Sequence, residues 1–91
     1  MIICSVVGHV WATKKEPRLE GLKLMVVREE GTRGKNHVAV DVVGAGVGER
    51  VLVVSGSTAR NVFEGGSIPT DMAIVGIIDT LEVEKESKAR K

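Results

Sequence analysis

The sequence predicts a mainly β fold, a five-stranded OB-like barrel with one short α-helix. Three observations carry this. Hydrophobic residues make up 43% of the 91 and are overwhelmingly Val, Ile, Leu and Ala, with one Trp, one Phe and no Tyr; the branched Cβ of valine stiffens χ1 and suits a pleated surface. Five apolar runs alternate with Gly-, Pro- and charge-rich connections, and one helical stretch separates the last two, which is the element count of a small closed or partly open barrel. Several runs are apolar on both faces, a pattern that calls for a second layer, and the expected second layer is another subunit.

The first strand spans residues 2–11, with Ile2, Cys4, Val6, Gly8 and Val10 on one face and Ile3, Ser5, Val7, His9 and Trp11 on the other. A loop containing Pro17 leads to the second strand, residues 22–28. Residues 29–36 form a charged connection with Gly31 and Gly34 as its turn residues. The third strand covers 37–43 and the fourth 50–55. Ser57 is placed to cap a short helix reaching about Phe63, because its hydroxyl can accept an amide N–H of the first turn. Breaks at Gly65-Gly66 and Pro69 precede a long final strand, 72–83, entered at Asp71; Gly76 in its middle marks a bend or a close backbone contact. One domain therefore spans 1–83. The remaining residues, 84–91, are charged, lack apolar anchors and are expected to be disordered.

Between the third and fourth strands lies Asp41-Val-Val-Gly-Ala-Gly-Val-Gly-Glu-Arg-Val51. Closely spaced glycines after a strand suggest a phosphate cradle, but a dinucleotide fingerprint reads G-x-G-x-x-G and opens a helix. Gly44, Gly46 and Gly48 read G-x-G-x-G and lead into a strand, so the helix N-terminus that would hold a phosphate is missing. Two readings remain: a hairpin connection with a bulge, or a loop packed against copies of itself around a symmetry axis.

Composition excludes several function classes. A net charge of +1 supplies no field to steer the chain to nucleic acid or an anionic membrane. No apolar run approaches the ~20 residues that span a bilayer, and the start lacks the basic region and long apolar stretch of a signal peptide. The lone Cys4 excludes an intrachain disulfide and, within an apolar strand, reads as a small hydrophobe. His9 and His37 have no ligand spacing, so no metal or cofactor is expected. Asp41, Glu49, Asp71 and Asp79 read as strand ends, turn caps or ion-pair members rather than a catalytic pair. The fork of Arg60 can hold a carboxylate or two carbonyls, which suits a subunit boundary; an exposed helix residue is the plainer alternative. OB-like barrels bind single strands through aromatic platforms and a basic groove, and Trp11 beside Lys14 and Lys15 makes a poor one.

Six motifs, in order, carry a resemblance: Gly8-His-Val-Trp-Ala-Thr-Lys14, Leu19-Glu-Gly-Leu-Lys-Leu24, Val38-Ala-Val-Asp41, Gly44-Ala-Gly-Val-Gly-Glu49, Gly56-Ser-Thr-Ala-Arg60 and Asp71-Met-Ala-Ile-Val-Gly-Ile-Ile-Asp79. From residue 1 to about 83 the chain resembles the EutN/CcmL family, the pentameric vertex proteins of bacterial microcompartment shells such as carboxysomes and metabolosomes. Ser57-Thr58 stands where members often carry two serines. The resemblance implies a five-stranded barrel with a helix, assembled as a ring, and a structural, non-catalytic pentamer. It also implies hexameric shell proteins as partners, a place in the microcompartment shell within the cytoplasm, and no nucleic-acid or membrane partner. In such a ring Gly44, Ala45, Gly46 and Gly48 become the close-packed loop near the axis, and Glu49, Ser57, Arg60 and Asp71 become candidates for subunit or shell-tile boundaries. The alternative reading is an OB-like binding module for single-stranded nucleic acid or a peptide.

Overall fold

The computed structural model describes residues 1–11, 17–31, 33–63 and 67–79. Five strands, β1 (Ile2–His9), β2 (Lys23–Glu29), β3 (Asn36–Asp41), β4 (Arg50–Ser55) and β5 (Met72–Ile77), close into a barrel in the order β1-β2-β3-β5-β4. A 3₁₀ turn, Pro17–Leu19, precedes β2, and one helix, α1 (Ser57–Arg60), follows β4. Every strand pair is antiparallel except β3 with β5, which run parallel with Val40 beside Ala73 and Asp41 beside Ile74.

Alternation of side chains along the strands sorts the apolar residues into two clusters. Cys4, Val6, Met25, Val27, Ala39, Ala45, Val51, Val53 and Ile74 fill the barrel interior. The predominance of valine fits an interior of this size, which in small barrels is just wide enough for side chains to fill. Val40, Val54, Ala59 and Ala73 form a second cluster outside the barrel wall, packed with Leu22, Leu24, Val62, Phe63, Ile68 and Val75. Neighbouring residues such as Ala39 and Val40, or Val53 and Val54, thus face different cores.

That second cluster revises one expectation. The outer face of β3, β4 and β5 is covered by the chain's own helix and the segment after it, through Ala59, Val62, Phe63 and Ile68, so a neighbouring subunit is not the only second layer. What stays uncovered is the outer face farther along the β1-β2-β3 side. There Val26 lies opposite Val38 and beside Gly8, with Val7 38% and Val38 48% exposed.

Element ends also differ from the sequence reading. β1 stops at His9 instead of Trp11 after its pairing with β2 slips between Val6 and Gly8. β3 stops at Asp41 instead of Val43, because the Asp41 carboxylate captures the next amides and turns the chain off the ladder. Helix α1 ends at Arg60 rather than near Phe63: the Asn61 side-chain amide donates to the Ser57 carbonyl (2.8 Å) and occupies an acceptor the helix would leave open. Its N-cap is Gly56, at φ 71°, without a side-chain capping bond, so Ser57 lies inside the first turn and does not cap. β5 ends at Ile77; the rest of the expected long strand beyond Asp79, and the tail, lie outside the described residues. Gly76 meets a side chain rather than backbone, a Cβ there standing 3.4 Å from Leu52 Cδ1, next to a slip in the β4-β5 register.

Candidate assembly surface

The glycine loop, residues 42–49, is built around one side chain. Asp41 ends β3 with its carboxylate buried, and that carboxylate accepts three consecutive backbone amides: Val43 N–H and Gly44 N–H at Oδ1 (3.0 Å each) and Ala45 N–H at Oδ2 (2.7 Å). The next amide, Gly46 N–H, donates to Glu49 Oε1 (2.7 Å). Lys23, at the start of β2, brings its Nζ to 3.3 Å from Asp41 Oδ2 and donates to the Ala45 carbonyl (2.7 Å). A buried carboxylate needs such partners, since an unpaired charge in the interior is strongly unfavourable.

The far end of the loop is stitched to β1. Gly48 N–H donates to the Val6 carbonyl and Val6 N–H donates to the Glu49 carbonyl, both at 2.9 Å, which carries the β1-β4 pairing two residues into the loop. Ala45 turns inward and is fully buried in the barrel core, so its methyl group plugs the barrel instead of lying at a surface where subunits could crowd it. Gly44 and Gly48 are exposed, with φ of 85° and 96°, a conformation that side chains other than glycine rarely adopt. Gly46 is different. Its φ is not positive, and the nearest atom to a Cβ built there is Glu49 Oε1 at 3.8 Å, so nothing within one protomer requires glycine at this position. Beside these glycines Val43 and Val47 are exposed, Val47 by 58%.

The boundary candidates do not form one group: Glu49 closes the loop, and Ser57, Arg60 and Asp71 lie apart from it. Glu49 immediately precedes β4, whereas Ser57 and Arg60 lie in the helix beyond its other end. Six strand residues separate the two groups, a rise of about 20 Å. Within one protomer Glu49 and Arg60 therefore do not act together; Glu49 braces its own loop, and Arg60 is exposed on α1. Asp71 serves through its main chain, its carbonyl accepting Gly56 N–H (3.0 Å) and tying the turn before α1 to the start of β5. Its side chain is exposed, as is Ser57.

Two further features escaped the sequence reading. Lys23 carries no local signal, because its partners lie 22 residues away at Ala45 and 18 away at Asp41. The second is a two-pronged ion pair over β1: Arg50 Nε and Nη2 donate to Glu30 Oε2 (2.6 Å) and Oε1 (2.9 Å), while Glu30 N–H donates to the Ile3 carbonyl (3.0 Å). The Arg50 hydrogen bond, with its charge, holds the Glu30 carboxyl below the usual carboxylate range. Cys4 lies beneath, buried; burial first, and then the charges of Glu29 and Glu30, push its thiol up, which keeps it protonated and unreactive. His9 stacks on Trp11 with ring centroids 5.4 Å apart. Among the described residues no group of three or more His, Cys, Asp or Glu side chains could hold a metal ion, and no helix is long and apolar enough to cross a membrane.

Comparison with known proteins gives a consistent result. The family described as ethanolamine utilisation protein EutN/carboxysome matches residues 1–79. The chain is similar to the bacterial microcompartment shell vertex protein PduN of Salmonella typhimurium, 47% identical over 89 residues that cover 89% of this chain and 98% of that one. It is also similar to the carboxysome shell vertex protein CcmL of Synechocystis, 44% identical over 95 aligned positions covering 100% and 95% of the two chains. In three dimensions it superposes on the pentameric shell protein MSM0273 from the RMM microcompartment with a TM-score of 0.84 and 38% identity, covering 96% of this chain and all of that one.

Proposed function

The chain belongs to the EutN/CcmL family, and from that premise we propose that it is the pentameric vertex protein that closes the shell of a bacterial microcompartment. The carrying observation is that the likeness to shell vertex proteins, in sequence and in fold, runs over nearly the whole length of both partners. The protein's place is accordingly the shell, within the cytoplasm.

The mechanism is geometric. In a closed ring of heterologous contacts each protomer presents one patch to its neighbour on one side and a different patch to the neighbour on the other. Two uncovered apolar regions support this role, the Val7-Val26-Val38 face and the glycine loop with Val43 and Val47. Burying each exposed valine fraction contributes at about 25 cal/mol per Å² of apolar area. Gly44, Gly46 and Gly48 form the near-axis loop, and Gly46 is the most telling because its missing side chain has no cause inside one protomer. Exposed Arg60, Ser57 and Asp71 face subunit or shell-tile boundaries, and hexameric shell proteins are the tiles. Five-fold units are what allow a lattice of flat hexagonal tiles to enclose a volume. The role needs no catalysis, cofactor, nucleic acid or membrane. Among the described residues, the aromatic platform available to the OB-like binding alternative is Trp11, whose indole is exposed and stacked on His9.

The test is reconstitution with hexameric shell proteins, followed by electron microscopy. Closed polyhedral shells should form only when this chain is present, with open sheets or tubes in its absence. Shells that close equally well without it contradict the assignment.

A further inference from the structure

The Asp41 carboxylate is heavily engaged: its ion pair with Lys23 joins the facing ends of β2 and β3, and the three amides it accepts lie outside the strand ladders. β3 ends at Asp41 and β4 begins at Arg50, so the three amides it captures all belong to the loop between them. We propose that Asp41, held by Lys23, is a positioning residue for assembly: it sets the 42–49 loop in its docking shape before subunits meet. The inference rests on the reading of this loop as an assembly surface.

Three observations support the role. Amides of four successive residues, Val43 to Gly46, all donate to two carboxylates, Asp41 and Glu49, which leaves the segment little freedom to reorganise. Lys23 bonds both to the Asp41 carboxylate and to the Ala45 carbonyl, so one cation fixes the clamp and the peptide it holds. Ala45, between the clamped glycines, is buried in the barrel core and anchors the loop to the wall. A loop ordered in advance loses less conformational freedom on association, which strengthens binding without adding a contact. Asparagine at position 41 keeps the size of the side chain but turns one acceptor into a donor. In one orientation it confronts Ala45 N–H and Lys23, and in the other it confronts Val43 N–H and Gly44 N–H. Hydrogen bonds to charged groups are the strong ones, so the variant loop is released.

The experiment mixes isotopically light and heavy rings and follows subunit exchange by native mass spectrometry for wild type, Asp41→Asn, Lys23→Met and Lys23→Arg. Cys4 labelling by a thiol reagent reports in parallel on the closed barrel. Asp41→Asn and Lys23→Met should keep Cys4 protected while exchange accelerates about tenfold or more, a change carried mostly by the dissociation rate; Lys23→Arg, which retains charge and donors, should stay near wild type. Unchanged exchange in Asp41→Asn overturns the proposal. So does Cys4 exposure that rises in step with exchange, because the carboxylate would then be holding the barrel itself. Wild-type protein that forms no ring at all instead overturns the reading of the loop as an assembly surface.

Discussion

The sharpest consequence of the loop geometry is a contrast between two glycines two residues apart. At Gly44, φ is 85°, and a Cβ in that region crowds the following carbonyl at a cost of about 1–2 kcal/mol. For a domain of this size each kcal/mol moves the Tm by about 4–8 °C, so Gly44→Ala should lower the stability of the fold measurably. At Gly46 φ is not positive and the nearest neighbour of a Cβ, Glu49 Oε1, stands 3.8 Å away in ordinary contact. Gly46→Ala should therefore stay within about 0.5 kcal/mol of wild type in the isolated protomer, as surface changes usually do. Gly46→Leu should likewise leave the barrel closed. In a ring, however, five copies of that side chain would converge near the axis, and Gly46→Leu should abolish or destabilise the five-fold species. Two readouts separate the effects: Cys4 thiol protection for the barrel and native mass for the ring. A Gly46→Leu protein with protected Cys4 and an undiminished pentamer would refute the placement of this loop at the axis.

Other outcomes follow from the core and the ion pairs. Ile74 is fully buried in the barrel interior, and Ile74→Ala should cost about 2–5 kcal/mol, read as a lower urea midpoint. Because the folded Glu30 carboxyl is held low by Arg50, the stability it contributes is present above the ordinary glutamate pKa of about 4.3 and is lost as pH falls through the lower folded value. The stability difference between wild type and Arg50→Gln should accordingly shrink on acidification, and a gap that widens contradicts the pairing. Cys4 behaves with the opposite sign. Its folded thiol pKa is raised by burial, so its contribution is complete below the unfolded value of about 8.5 and declines as pH rises toward the folded one; labelling should be slow in native protein and fast in urea, and equal rates would show an open barrel.

The parts of this fold that were legible in the sequence share one property: their signal is local. The run Arg50-Val-Leu-Val-Val-Ser55 is bracketed by a glycine loop and Gly56, and it forms β4 with those bounds. The acid at position 41 was readable as a strand end, turn cap or ion-pair member, and it is all three. What could not be read depends on relations between distant residues. An apolar-on-both-faces pattern at Val40, Val54 and Ala73 shows that a second layer exists, but not whether a neighbour or the chain's own Ala59, Val62, Phe63 and Ile68 supply it. Ala45, flanked by glycines, has no periodicity to mark it as core, and only the closed barrel shows where its methyl group goes. Lys23 becomes visible as a clamp only once β2 lies beside β3, which places it opposite Asp41. The helix start slipped by one residue because Ser57 matches the capping preference, whereas the backbone at Gly56, with φ 71°, takes the cap position.

The central claim is that this barrel closes into a five-membered ring, and the most direct measurement is the intact mass of the purified assembly under native conditions. The account predicts a single dominant species of five copies of the 9.7 kDa protomer, persisting as salt is raised. A protein that remains a lone protomer or a dimer at every concentration contradicts it.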